Sequence, residues 1–150
     1  MKSEPSDYSI DDLIKDKKTH WDGVRNFQAR NNMREMKVGD GVFFYHSNSD
    51  PKAIVGIATV CREAYPDFTQ FDKDNKYYER RATEDKPYWF MVDIQFVTKF
   101  AKPWSLAMLR EVPALEGMLL LKRGQRLSVQ SVTSREWRAV CRLAEALEFA

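Results

Sequence analysis

Residues 42–65 restrict the fold of this chain more than any other stretch. "VFFYHS" (42–47) and "AIVGIATVCREAY" (53–65) are rich in β-branched and aromatic residues, and "NSDPK" between them is made of turn formers. Two such runs around a short turn read as a β-hairpin. Gly56, inside the second run, marks a bulge or the close approach of another backbone. "YWFMVDIQFVTKF" (88–100) is a further strand, with Phe90, Val92, Ile94 and Phe96 on one face. "RLSVQSV" (126–132) alternates Leu127 and Val129 with Arg126, Ser128 and Gln130, so its two faces differ sharply. The sheet these segments imply is mostly antiparallel and barrel-like.

Helices fill the remainder. Ser9 and Asp12 form a capping box ahead of Ile10, Leu13 and Ile14, which predicts a helix over 10–16. "NFQARNNMREM" (26–36) reads as a second, less regular helix that "VGDG" terminates. "SLAMLREV" and "ALEGM" read as short helices or turns. "SREWRAVCRLAEALEF" places Trp137, Val140, Cys141, Ala144 and Leu147 at helical spacing behind Ser134 as N-cap. Residues 66–87 form a long polar loop with aromatic interruptions, and loops of that length are usually functional or mobile. With no repeat or linker, the 150 residues predict one α+β domain.

Several chemistries find no support. Cys61 and Cys141 lie far apart, and with only His20 and His46 beside them no zinc pattern can be assembled. Both cysteines read as buried small hydrophobes in a reducing compartment. No motif asks for a metal or a cofactor. "MKSEPSDYSI" has no apolar leader core and no run could span a bilayer, so the expected location is cytoplasmic, or nuclear if the cell has a nucleus. His46 and Ser47 are neighbours on a strand and point to opposite faces, so they cannot pair as base and nucleophile. The carboxylate pairs Asp11–Asp12, Asp72/Asp74 and Glu84–Asp85 fall in polar loops or at a helix start, where nothing raises a pKa. "GDGVFF" lacks the Lys-Ser/Thr of a phosphate-binding loop.

Binding is better supported. The formal charge of +2 demands no polyanion, so a nucleic-acid footprint would have to be local. "HWDGVRNFQARNNMREM" (20–36) supplies Arg25, Arg30 and Arg34 among three asparagines and beside Trp21. Arginine suits phosphate through its planar donor fork, and asparagine can read a base edge. Trp21, Tyr45, Tyr65 and Tyr77–Tyr78 fall at element ends or in loops, where a ring either presents its face to a ligand or anchors its own loop. These residues alone point to a module for nucleic acid or a small planar ligand.

"KSEP" (2–5), "WDGVRNFQARNNMREMKVGD" (21–40), "FFYHS" (43–47), "VGIA" (55–58), "AYPD" (64–67) and "RGQRLSVQSV" (123–132) resemble, in collinear order, the EVE domain family. The resemblance implies a PUA-like fold, an open antiparallel β-barrel with peripheral helices. It implies a non-catalytic reader of a modified nucleobase, foremost 5-methylcytosine or 5-hydroxymethylcytosine in DNA, held as a flipped base. Alternatives are a binder of modified or structured RNA, and a small ASCH-type amidohydrolase with Glu4 or Asp67 as base. The implied pocket gathers Lys2, Ser3 and Glu4; Trp21, Val24 and Asn26; Tyr45, His46 and Ser47; Tyr65, Pro66 and Asp67; Leu127, Ser128 and Gln130. Residue chemistry then suggests Trp21 and Tyr65 as ring faces and Val24 and Leu127 as apolar wall. Asn26, Ser47 and Ser128 would bond the base edge, and Arg25, Arg30, Arg126 and Lys2 the phosphates. Trp21→Ala is expected to lose binding with little loss of folding. Two departures stand out. The family's short apolar strand before "KSEP" does not precede Met1-Lys2 here, so either the start is late or the strand is missing, which would open a sheet edge beside the pocket; and Ser131 stands where a proline is common. The expected partner is nucleic acid, with no membrane and no metal, and a monomer is favoured.

Overall fold

The computed structural model describes residues 1–150. Its sheet is built around the expected hairpin. β3 (Gly41–His46) and β4 (Ala53–Pro66) pair antiparallel, with Val42 opposite Ala58 and Phe43 opposite Ile57. β5 (Phe90–Ser105) runs antiparallel to β4 and extends beyond the predicted end at residue 100. Gly56 is the predicted close approach, because a Cβ there would lie 2.5 Å from the Thr98 carbonyl oxygen of β5.

Two short edge strands complete the sheet, and neither was predicted. β1 (Lys2–Ser3) lies parallel to β3, and β2 (Lys18–His20) lies antiparallel to β5. The spatial order is β1-β3-β4-β5-β2. The edges do not pair with each other, so the sheet is open, as the expected open barrel has it, but it stays a five-stranded sheet, and one of its pairings is parallel. "RLSVQSV" is not a strand. Its tie to β1 is one backbone bond, Lys2 N–H to the Ser128 carbonyl at 2.8 Å, while the Asn32 amide holds the Val129 carbonyl at 2.9 Å. Val129 alone of that segment is fully buried, and one inward residue per turn imitates strand alternation.

Both faces of the sheet are covered, which explains why its strands read as nearly continuous apolar runs. Val42 and Phe44 of β3 join a fifteen-residue cluster with Ile10 and Leu13 of α1 (Ile10–Asp16) and Ala29 and Met33 of α2 (Phe27–Arg34). Phe43 and Tyr45 join an eleven-residue cluster with Leu109 of α3 (Leu106–Arg110) and Val140 and Cys141 of α4 (Ser134–Leu143). The Ser9–Asp12 capping box starts α1 as expected. The box that starts α4 is Thr133–Glu136, one residue earlier than predicted, because Thr133 keeps the extended backbone an N-cap needs. Cys141 is buried as expected, whereas Cys61 is only half-buried. No helix is long and apolar enough to cross a membrane.

Candidate nucleic-acid interface

A cleft of about 1070 Å³ opens beside the β1 edge. The start of the chain (Lys2–Glu4), the turn Trp21–Arg25, the loop after β3 (Ser47, Asn48, Lys52) and the segment Gly124–Ser128 surround it.

Its floor is Trp21. Trp21 is only 9% exposed, and its indole stands edge-on to Phe44, with ring centroids 5.6 Å apart. Its backbone N–H donates to the Val92 carbonyl at 2.8 Å, fixing the turn to β5. Val24 lies beside it, also buried. The ring is thus a member of the core that shows a small part of itself to the cleft, which overturns the expectation that Trp21→Ala would leave folding nearly intact.

The wall next to Trp21 is saturated with hydrogen bonds. Gly23 has φ +80°, and the Tyr77 ring stands 2.7 Å from where a Cβ would be. The Gly23 N–H donates to Asp67 Oδ2 at 2.8 Å. Arg25 donates to the same oxygen at 3.0 Å, to Thr69 Oγ1 at 2.9 Å, and to the carbonyls of Val24 (3.0 Å) and Tyr77 (2.8 Å). Its guanidinium carbon lies 5.2 Å from the Tyr77 ring centre and 5.4 Å from that of Trp89. Asp67 is fully buried and also accepts from the Thr69 N–H at 2.8 Å and from the Thr69 hydroxyl. A carboxylate with this many donors is a brace, out of reach of a substrate. Arg25, expected on phosphate, has its donors committed to the protein.

The opposite side is open. Lys2, Lys52 and Arg126 line the mouth, and none of them forms an ion pair. The Lys2 ammonium reaches only the Gln125 carbonyl, at 3.4 Å. Burial and then the nearby Lys52 charge lower its pKa, as expected for a cation crowded without a counter-ion. Ser47 and Ser128 line the same cleft. Glu4, Asp7 and Asp22 also line it, so its electrostatics are mixed.

Other expected pocket residues stand elsewhere. Asn26 caps α2, its Oδ1 accepting from the Ala29 N–H at 3.0 Å, which commits that oxygen to the helix. Arg30 donates to the Tyr88 carbonyl at 2.8 Å and to the Asn31 side chain. His46 Nε2 accepts the Ile10 N–H at 3.1 Å and so ties α1 to β3. Tyr45 is buried in the second cluster, and Leu127 packs on the first. Tyr65 donates its hydroxyl to Asp93 with the Arg62 guanidinium over its ring, and burial raises its pKa to about 12. Pro66 is exposed at the end of β4. Gln130 borders a neighbouring cavity of about 30 Å³, and its buried Nε2 has no acceptor. Ser3 lines the cleft but spends its hydroxyl on the Tyr8 carbonyl at 2.7 Å; Glu4 lines it exposed.

Lys52, His20, Tyr77 and Gln125 line the cleft without having been singled out for it. Lys52 sits in a loop that reads only as a turn, and nothing local in the sequence brings it beside Lys2. Tyr77 carried a signal, an aromatic in a long polar loop, but packing was equally compatible with it.

The EVE domain model matches residues 1–143. Thymocyte nuclear protein 1 of Homo sapiens is 43% identical over 164 residues, spanning 97% of this chain and 72% of that protein. Among solved structures, a Pseudomonas syringae protein is similar with TM-score 0.92 and 44% identity, over 96% of this chain and 97% of that one. The human THYN1 protein in complex with 5-methylcytosine containing DNA is similar with TM-score 0.91 and 43% identity, over 97% of this chain and 95% of that one.

Proposed function

This chain belongs to the EVE domain family, and from that membership we propose that its cleft reads a modified cytosine in DNA without catalysis. The observation that carries the reading is a cleft of base-accommodating size, in a chain this similar to a protein solved with 5-methylcytosine containing DNA. Residues 1–150 act as one PUA-like domain, its open sheet holding the cleft at the β1 edge.

A flipped base lies on the exposed part of Trp21 with Val24 as apolar neighbour. Ser47 and Ser128 bond its edge, and Lys2, Lys52 and Arg126 meet the flanking phosphates. This set keeps Trp21, Val24, Ser47, Ser128, Lys2 and Arg126 of the expected residues and adds Lys52. Arg25 and Asp67 shape the site from behind. The non-catalytic reading is supported by the state of the two candidate bases, since Asp67 is sealed beneath its donors and Glu4 is exposed to water.

Magnitudes set the scale. Stacking one base contributes roughly 1–3 kcal/mol, and extruding it from a duplex costs a few kcal/mol. One methyl in an apolar slot discriminates by roughly 1–3 kcal/mol. Binding of matched oligonucleotides carrying cytosine, 5-methylcytosine or 5-hydroxymethylcytosine, at one salt concentration, tests the reading. A preference for a modified cytosine of about tenfold or more supports it. Equal affinity for all three contradicts it, and tighter binding to the ribo-oligonucleotides would move the function to RNA.

A further inference from the structure

Asp67, Thr69 and Gln70 are the only buried polar side chains in the molecule, and they occupy one turn, Phe68–Phe71 with its cap. Burying such groups is costly unless each is bonded. Here each is. Asp67 takes Gly23, Arg25 and Thr69 as donors. The Gln70 amide nitrogen donates to the Asp67 and Trp89 carbonyls at 2.8 and 2.7 Å, and its oxygen accepts from the Tyr88 and Trp89 N–H groups at 2.9 and 3.0 Å. That fills the carboxamide's capacity and leaves the turn no freedom to shift.

The side chain this turn presents is Phe68, which is 52% exposed. Its ring meets that of His20 edge-on at 5.1 Å, and His20 lines the cleft. The residue before it, Asp67, pins Gly23 in the cleft wall. A fully satisfied buried network therefore holds a turn whose exposed ring touches His20 of the cleft lining. The same network braces the cleft wall, so the exposed ring rides on a turn that is already organised before a ligand arrives.

We propose that Phe68 is the wedge that enters the duplex stack beside the base taken into the cleft, with His20 backing it. This rests on the base-reading function proposed above. Extruding a base leaves a gap in the stack, and an apolar side chain inserted there offsets part of the unstacking cost. Such a wedge acts only on duplexes. Single strands and free nucleosides have no stack to hold open, and this separates the wedge from the pocket.

The test compares the parent with Phe68→Ala and Phe68→Trp on three probes carrying 5-methylcytosine: a duplex, the corresponding single strand, and the free deoxynucleoside. In the duplex, 2-aminopurine next to the modified base reports unstacking. Phe68→Ala is expected to weaken duplex binding by about tenfold, with the single strand and nucleoside changed by less than about twofold. It should also lose the 2-aminopurine rise, and Phe68→Trp should restore both. Equal losses on duplex and single strand, or no loss on either, overturn the wedge while leaving the reader intact. A parent that binds no modified probe better than its unmodified counterpart overturns both.

Discussion

The two sides of the cleft are built in opposite ways. Around Gly23, Arg25, Asp67 and Tyr77 nearly every donor and acceptor is used within the protein. Across the opening, Lys52, Arg126, Ser47 and Ser128 make no side-chain bond to the protein and Lys2 makes one long one. The same residue type plays opposite parts: Arg25 is a strut and Arg126 is free. A saturated wall gives shape that costs nothing to organise when a ligand arrives. An unsaturated wall leaves the groups that a ligand can satisfy. Mutations on the first side should therefore act through folding, and those on the second through binding alone.

Trp21 is where that division should break most visibly. Trp21→Ala empties a buried indole from the floor and is expected to cost about 3–5 kcal/mol of stability, read from urea unfolding. Binding should fall with it, whereas Trp21→Phe should recover most of the stability. Next comes Asp67→Ala, which strands the Arg25 guanidinium and the Gly23 N–H. Its expected cost is about 3 kcal/mol, the low end for a broken buried pair because Arg25 keeps about a fifth of its exposure. A loss under about 0.5 kcal/mol would mean that this wall is not the strut described.

Lys52→Ala and Arg126→Ala sharpen the other side. Each should leave stability within about 0.5 kcal/mol while lowering the salt dependence of DNA binding by about one unit of log–log slope. If either variant unfolds more readily but keeps its slope, the comparison is reversed.

The smallest effect concerns His46. Burial lowers its pKa below the ordinary 6.5; Asp11 pulls it back up and Lys99 pushes it down. The unfolded chain then binds this proton first, so His46 contributes stability that is complete above pH 6.5 and lost as pH falls toward the folded value. Protonation would also remove the acceptor of the Ile10 N–H. Urea midpoints measured downward from pH 7.5 should decline in the parent and decline less in His46→Gln.

The hairpin, β5 and three helices were legible because burial on two faces writes itself into local composition. β1 and β2 were not, since edges of two and three residues carry no periodicity. The motif segments around Trp21, Ser47 and Ser128 did converge on one cleft. Individual roles were not legible where a side chain could serve the backbone as well as a ligand. Asn26 is chemically able to read a base edge and equally able to cap a helix, and its Oδ1 caps α2. Arg25 suits phosphate, but Asp67, forty-two positions away, reaches it first. Sequence spacing cannot show which partner arrives.

In the proposed pose the modified base sits on Trp21 beside Val24. An oligonucleotide with an isotope-labelled 5-methyl group, titrated into the protein, tests it directly by nuclear Overhauser contacts. Contacts from that methyl to the Trp21 indole or the Val24 methyls are expected. Saturable binding whose methyl contacts fall only on residues outside the cleft would contradict it.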